Sequence, residues 1–210
     1  MRLSLDPPGD GPANMAADLE LLSRAAEGEA GGRIYSWSTV WVTLGRGQEA
    51  ERTLVDPSRI PWIVRPTGGA AVLHGHDLTV GLAFPLRRSV RDSYRIGTEP
   101  LIAALHAGGV PAVLAESIGA DDGDPRRIDC FAGSSSNDIV DPRSGAKVCG
   151  CALRRTRDAV LIQASIPVRD AGIDPASVIR GGVAIKPVAL NRSKFAETLQ
   201  EGLDNLKKLH

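Results

Sequence analysis

Residues 137–168, NDIVDPRSGAKVCGCALRRTRDAVLIQASIPV, decide the fold. Three apolar, β-branched segments (137–140, 145–155 and 159–168) are separated by the polar sequences DPRSGA and RRTRD, the pattern of strands joined by short turns. Upstream, VLHGHDLTVGLAFP (72–85) sets Leu78, Val80, Leu82 and Phe84 in strict alternation, which predicts one half-buried strand. RIYSWSTVWVTLGRG (33–47) reads as two strand pieces, WIVR (62–65) as a short one, and VPAVLA (110–115) as another. Helical spacing surrounds and interrupts these strands. Asn14 is placed to cap a helix carrying Met15, Leu19 and Leu22, which fades at Gly28–Gly32. Ser89 opens a second helix through Val90, Tyr94, Leu101, Ile102 and Leu105; Pro100 should break or kink it and Gly108-Gly109 should end it. From Ser193, the residues Phe195, Leu199, Leu203 and Leu206 share one face of a third. The arrangement predicts an α+β fold rather than a regular βαβ alternation.

Composition agrees. The 210 residues are 42% hydrophobic and 24% charged, enough for one domain with a sizeable core, read here as spanning 1–210. Lys+Arg and Asp+Glu are 25 each, so the balance points to neither nucleic acid nor an anionic membrane as partner. Three cysteines, an odd number, speak against a disulfide framework. The N-terminal MRLSLDPPGDGPAN has no apolar run, and no stretch approaches the roughly 20 apolar residues that span a bilayer. The expectation is a soluble cytoplasmic domain with reduced thiols.

Three segments carry the chemistry. In Arg65-Pro66-Thr67-Gly68-Gly69-Ala70-Ala71-Val72-Leu73-His74, paired glycines after a strand let a ligand approach the backbone, with amides open to carbonyl or phosphate oxygens; Arg65 could clamp a phosphate. Read by itself, the segment is equally a turn between strands. In Lys147-Val148-Cys149-Gly150-Cys151-Ala152, an inward lysine could polarise a carbonyl, or it could sit solvated at a hairpin mouth. Cys149 and Cys151 share a strand face; without a second cysteine pair or a histidine cluster they read as small packed thiols, and no metal site is expected. Cys130-Phe131 follows Arg126 and Arg127, cations that would lower a thiol pKa and favour a nucleophilic thiolate; a buried apolar cysteine is the alternative. His74, His76 and His106 are available to assist, although His106 is also explained by a helix C-terminus.

Together these segments resemble the lipoate–protein ligase A and octanoyltransferase family. The similarity runs in order through Pro12-Ala13-Asn14-Met15-Ala16-Ala17-Asp18, Arg33-Ile34-Tyr35-Ser36-Trp37, Thr43-Leu44-Gly45-Arg46-Gly47-Gln48, the Arg65–His74 loop, Asn137-Asp138-Ile139-Val140, and Lys147 with Gly150-Cys151-Ala152. The resemblance implies the catalytic-domain fold of biotin and lipoate ligases, a mixed, largely antiparallel sheet with helices packed mainly on one face. It implies transfer of an octanoyl or lipoyl group onto one lysine of a lipoyl domain or of a glycine-cleavage H-type carrier protein. Two chemistries occur in the family. Transferases take octanoyl from acyl carrier protein through a cysteine thioester and need no cofactor; ligases activate lipoate with ATP and Mg²⁺. The place of Cys130 before Asn137-Asp138, and the lack of the additional C-terminal domain that many ligases carry, favour the transferase.

On that reading Cys130 is the nucleophile, Lys147 and the amides of Gly68, Gly69, Ala70 and Ala71 stabilise the oxyanion, and His74 is the base. Arg65, Thr67, Gly150 and Cys151 complete the substrate site, with Trp37, Val72 and Leu82 as acyl walls. Where the family has a second basic residue, a third loop glycine or arginine, a Ser or Asn, and a His-Gly pair, this chain has Val64, Ala70, Cys151 and Gln163-Ala164-Ser165. These changes remove phosphate-binding groups more obviously than acyl-binding ones. They leave open a third reading, a homologue that binds an acylated partner without transferring anything.

Overall fold

The computed structural model describes residues 2–86, 88–119 and 127–206. In chain order its elements are β1 (Arg2–Leu5), α1 (Gly11–Ala26), β2 (Gly31–Tyr35), β3 (Trp41–Leu44), α2 (Ala50–Thr53), β4 (Trp62–Val64), β5 (Val72–His74) and β6 (Asp77–Pro85). There follow α3 (Val90–Ala107), β7 (Val113–Leu114), β8 (Ile139–Val140), β9 (Lys147–Arg155), β10 (Ala159–Pro167) and α4 (Arg192–Leu206). The larger sheet has the order β1-β2-β6-β10-β9-β8-β7, and a smaller one the order β4-β3-β5. Among the described strands only β1–β2 and β3–β4 pair in parallel, so the mixed, largely antiparallel α+β architecture is as expected.

Several local expectations are corrected. Asp10, not Asn14, caps α1, its carboxylate accepting from the Ala13 amide at 2.8 Å. Asn14 lies inside the helix and is buried, its amide donating to the carbonyls of Gly9 and Ser36. Leu19 is 44% exposed, and the buried face of α1 instead carries Asp18. The 72–85 segment is two strands in different sheets. Gly75, at φ +108°, turns the chain between them, a conformation side-chain-bearing residues rarely adopt. Nor is β6 half-buried, because both its faces are covered. Pro100 does not end α3, which runs on to Ala107 with Pro100 packed against Gly202 of α4. Packing against the neighbouring helix overrides the local preference. Val90, expected in the core, is exposed. On α4, Phe195, Leu199 and Leu203 are fully buried as the spacing predicted; the Leu206 side chain lies outside the described residues.

Strand alternation sorts the larger sheet into two unlike faces. Leu78, Val80, Leu82 and Phe84 of β6 join Val160, Ile162, Ala164 and Ile166 of β10 in an apolar core with Leu101 and Leu105 of α3 and Phe195, Leu199 and Leu203 of α4. The opposite residues, among them Asp77, Thr79, Gln163 and Ser165, are polar yet buried. Part of that face is covered by α1, whose Leu22 and Ala25 pack on Ala83 and Leu161.

At its centre Asp18 accepts from Arg33 Nη1 at 2.9 Å, the Tyr35 hydroxyl at 2.8 Å and Gln163 Nε2 at 2.6 Å. Burial raises the Asp18 carboxyl above its ordinary range even against the Arg33 charge. Removing one partner of a buried ion pair leaves the other uncompensated. The substitution Asp18→Ala should therefore cost about 3–5 kcal/mol in denaturant unfolding, and a loss within the range of a surface substitution would show that α1 is not held this way.

Candidate active site

The Gly-rich loop between β4 and β5 is shaped around a buried guanidinium. Arg65 Nε donates to Thr67 Oγ1 at 3.0 Å, Nη1 to the Thr43 carbonyl at 3.3 Å and hydroxyl at 3.4 Å, and Nη2 to the carbonyls of Gly68 and Ala70. Five contacts occupy its five N–H donors. The phosphate clamp that the sequence offered is therefore replaced by a scaffold. A trans peptide points its N–H away from its C=O, so drawing the Gly68 carbonyl toward Arg65 turns the Gly69 amide to the opposite side. Among the described residues, the Gly69 and Ala70 amides have no acceptor, and both residues line the main cavity. The Ala71 amide is not available, since it donates to the Ile128 carbonyl at 2.8 Å. In return, the Cys130 amide donates to the Ala71 carbonyl at 2.9 Å, which fixes the cysteine segment beside the loop.

Cys130 opens a single 3-10 turn, Cys130–Ala132, capped by Asp129. Lys147, the first residue of β9, brings Nζ to 3.6 Å from Cys130 Sγ and donates to the Cys130 carbonyl. The same ammonium pairs with Asp138 Oδ2 at 2.7 Å, with both side chains buried. Asp138 is itself held by the Ser135 amide and hydroxyl at 2.8 Å each and by the Cys151 amide at 3.1 Å. Gly150 makes room for the thiol: a Cβ there would stand 2.9 Å from Cys130 Sγ. Burial pushes the Cys130 thiol up. Lys147 pulls it down and Asp138 pushes it up, Arg65 and Asp129 act likewise in opposite senses, and the net shift is upward. The net shift is opposite in sign to the activation expected from Arg126 and Arg127. Arg126 lies outside the described residues, and the opposing cations are Lys147 and Arg65.

His74 lies on the cavity wall with both ring nitrogens engaged. Nδ1 is 2.8 Å from Asp77 Oδ2, Nε2 is 2.9 Å from Thr43 Oγ1, and the ring stacks on Trp37 with centroids 4.0 Å apart. A base role would require it to leave Thr43, so the geometry makes it a support for the wall. Asp77 also accepts from Thr79 and Ser165 at 2.9 and 2.7 Å. Burial alone would raise its carboxyl, but His74, His76 and Ser165 bring it well below the ordinary carboxylate range. Thr67 donates to Gln163 Oε1 at 2.6 Å, which links the loop to Asp18. Neither His76 nor His106 lines the cavity.

The cavity, about 80 Å³ in volume and open on one side, brings together Trp37, Val72, Arg65, Gly69, Ala70, His74, Cys130, Lys147, Gly150 and Cys151. Leu82 is not a wall; its parity on β6 sends it into the apolar core on the other side of the sheet. Met15 and Tyr35 take that place. Cys151 borders the cavity, while its sulfur contacts that of Cys149 at 3.8 Å. The most important residue given no role from sequence is Asp138, quoted there only within the Asn137–Val140 segment. Its signal was an acid directly before the apolar pair Ile139-Val140, where a strand begins.

Residues 10–209 match the family described as the lipoyl protein ligase A/B catalytic domain, and the chain belongs to that family. Octanoyltransferase LipM of an Exiguobacterium species is 34% identical over 170 residues, covering 74% of this chain and 61% of that protein. The enzyme of the same name from Lysinibacillus sphaericus is 30% identical over 168 residues, covering 73% and 60%. The chain thus spans about three fifths of the length of these curated relatives. A Thermoplasma acidophilum lipoate protein ligase structure with bound lipoic acid superposes with a TM-score of 0.76 at 21% identity, covering 98% of this chain and 85% of that one. Lipoate-protein ligase A bound with ATP gives 0.74 at 20% identity, covering 98% and 84%. These structures share the fold.

The raised thiol pKa has a direct consequence. Only the thiolate is alkylated, so the pH midpoint for Cys130 modification by iodoacetamide, followed by peptide mass mapping, should lie above the ordinary thiol value of about 8.5. Lys147→Ala removes the largest charge opposing burial and should move the midpoint higher still. A midpoint below that of free cysteine would contradict the electrostatics described.

Proposed function

We propose that this chain transfers an octanoyl or lipoyl group onto a specific lysine of a lipoyl carrier domain through a thioester on Cys130. The observation that carries the reading is the 3.6 Å approach of Lys147 Nζ to Cys130 Sγ at a cavity with apolar walls. Lipoyl domains and H-type carriers are the acceptors in this reading, and acyl carrier protein is the donor. The names of the octanoyltransferase relatives support it.

The acyl tail lies against Trp37, Val72, Met15 and Tyr35. Burying an eight-carbon chain at roughly 0.8 kcal/mol per CH₂ supplies several kcal/mol of anchoring. Sγ attacks the donor thioester carbonyl, and the developing oxyanion is met by the Lys147 ammonium and the Gly69 and Ala70 amides. Collapse expels the donor thiolate, which takes up the proton lost by Cys130. The acceptor amine then attacks the Cys130 thioester, forming the amide and regenerating the thiol. Asp138 holds Lys147 in place. His74 stiffens the wall and takes no proton. The ligase alternative gains nothing from Arg65, the residue the sequence offered for phosphate, because it has no donor left to give.

Intact-protein mass spectrometry after mixing with octanoyl–acyl carrier protein, without ATP, tests the reading. An octanoyl adduct should form that hydroxylamine removes, that a lipoyl domain discharges, and that Cys130→Ala abolishes. A Cys130→Ala enzyme that still transfers would overturn the covalent route. An adduct-free protein that lipoylates with lipoate, ATP and Mg²⁺ would establish the ligase instead. In the same assay Gly150→Ala, by displacing the thiol, should slow acylation roughly ten- to hundredfold without unfolding the protein; an unchanged rate would show that the thiol position is not critical.

A further inference from the structure

The small sheet ends in an open edge beside the cavity. In the order β4-β3-β5, β4 has a neighbour on one side only among the described residues. In a parallel pair, alternate residues of a strand turn their backbone groups to the same neighbour. Val42 N donates to the Pro61 carbonyl at 3.0 Å and Arg65 N to the Leu44 carbonyl at 2.9 Å, in the register Val42↔Trp62, Thr43↔Ile63 and Leu44↔Val64. Residues 61, 63 and 65 therefore face β3. The N–H and C=O groups of Trp62 and Val64 point outward, where no described residue bonds them. These two side chains share a face and are 38% and 43% exposed, while Ile63 on the other face packs toward Met15, Tyr35 and Trp37. Native edges are ordinarily shielded by a charge, a bulge or a covering group. On β1, at the edge of the larger sheet, the Leu3 amide is met by the Gln200 side chain of α4 at 2.9 Å. Trp62-Ile63-Val64 carries no charge, and no described residue covers its outward groups.

We propose that this edge is the docking site of the acyl-acceptor protein, which adds an extended segment next to its target lysine as a further strand on β4, with alternate apolar side chains on Trp62 and Val64. The proposal rests on the transfer reading above. Four outward main-chain groups in line are matched by an extended backbone, which supplies the complementary donors and acceptors at the same spacing. The place selects the occupant. β4 runs directly into Arg65, which lines the cavity, and Gly69, which also lines it and is itself exposed, marks its mouth. At about 3.3 Å per residue, a strand paired with Trp62 and Val64 brings a residue just beyond the pairing to the Gly-rich loop, where an acceptor lysine has to arrive. The length selects against a permanent partner. The next outward donor position after Val64 is Pro66, which has no N–H, so the ladder ends after four groups. A contact this short releases its product, whereas stable interfaces bury far more surface.

Amide hydrogen exchange of the full chain, read by NMR with a lipoyl domain whose lysine is unmodified, tests the docking without any chemistry. Adding the domain should slow exchange at Trp62 and Val64 roughly tenfold or more and leave Ile63, already bonded to β3, unchanged. Unchanged exchange at Trp62 and Val64 overturns the proposal. So does protection that appears with octanoyl–acyl carrier protein instead, which makes the edge a donor surface, or on concentrating the chain alone, which makes it a contact between two copies. Kinetics supply the second readout. Trp62→Lys and Val64→Pro, checked for folding by thermal melts, should keep Cys130 acylation and its discharge by hydroxylamine, and should raise the KM for the lipoyl domain roughly tenfold. A KM within about twofold of the unsubstituted protein's overturns the proposal while leaving the thioester standing. Protection at β4 in a protein that forms no adduct on Cys130 overturns the covalent reading and leaves the docking site in place.

Discussion

A guanidinium buried among neutral acceptors organises this structure. Among the described residues Arg65 has no carboxylate partner; it is held by the Thr43 and Thr67 side chains and by backbone carbonyls of the loop it precedes. Burial lowers its pKa, a sign of how much hydration the folded state must replace. The replacement is specific. The Gly68 and Ala70 carbonyls are drawn toward Arg65, and their peptide planes turn the Gly69 and Ala71 amides away from it. A loop of small residues with no side-chain core of its own is thereby given one conformation. The charge that on sequence reasoning could have gripped a ligand serves instead to shape the loop.

From Arg65 the same polar network extends in two directions through the interior. Through Thr67 and Gln163 it reaches Asp18, Arg33 and Tyr35, and so joins the loop to α1 and the centre of the larger sheet. Through Thr43 it reaches His74, Asp77, Thr79 and Trp37, joining the small sheet to β6 and β10. Such networks are stable only when every member is satisfied. Here nearly every polar residue on the inner face of β6 and β10 contributes. The cavity thus has one wall set by hydrogen bonds and a floor set by the packing of the sheet against α3 and α4.

This division explains what could be read from the chain. The apolar face of β6 and β10 and the buried face of α4 announce themselves by period, because burial against helices tolerates only apolar residues at every second or every third and fourth position. The polar face was equally periodic, as Gln163 and Ser165 alternate with Ile162, Ala164 and Ile166, but polar alternation ordinarily means solvent. Only contact with α1 and the small sheet, distant in sequence, converts it to a buried network. The same holds for the site. Cys130, Lys147 and the loop were legible as residue types in order. That His74 is tied up at both nitrogens depends on Thr43, thirty-one residues back, as well as on Asp77, three residues on; that Asp138 holds Lys147 depends on how β8 pairs with β9.

The electrostatics of the dyad bear on how such a thiol could work. A strongly acidified cysteine attacks poorly for its thiolate fraction and is a good leaving group, so its thioester is easily lost. Cys130 lies in the opposite regime, with burial outweighing Lys147. In the proposed reaction, negative charge passes from sulfur to the carbonyl oxygen of the donor thioester, where Lys147 and the loop amides can meet it. The ammonium therefore need not create a resting thiolate. Its buried pairing with Asp138 holds it in place, so that in the proposed reaction its attraction is spent on the state in which charge has moved to oxygen, which is where stabilisation accelerates a reaction.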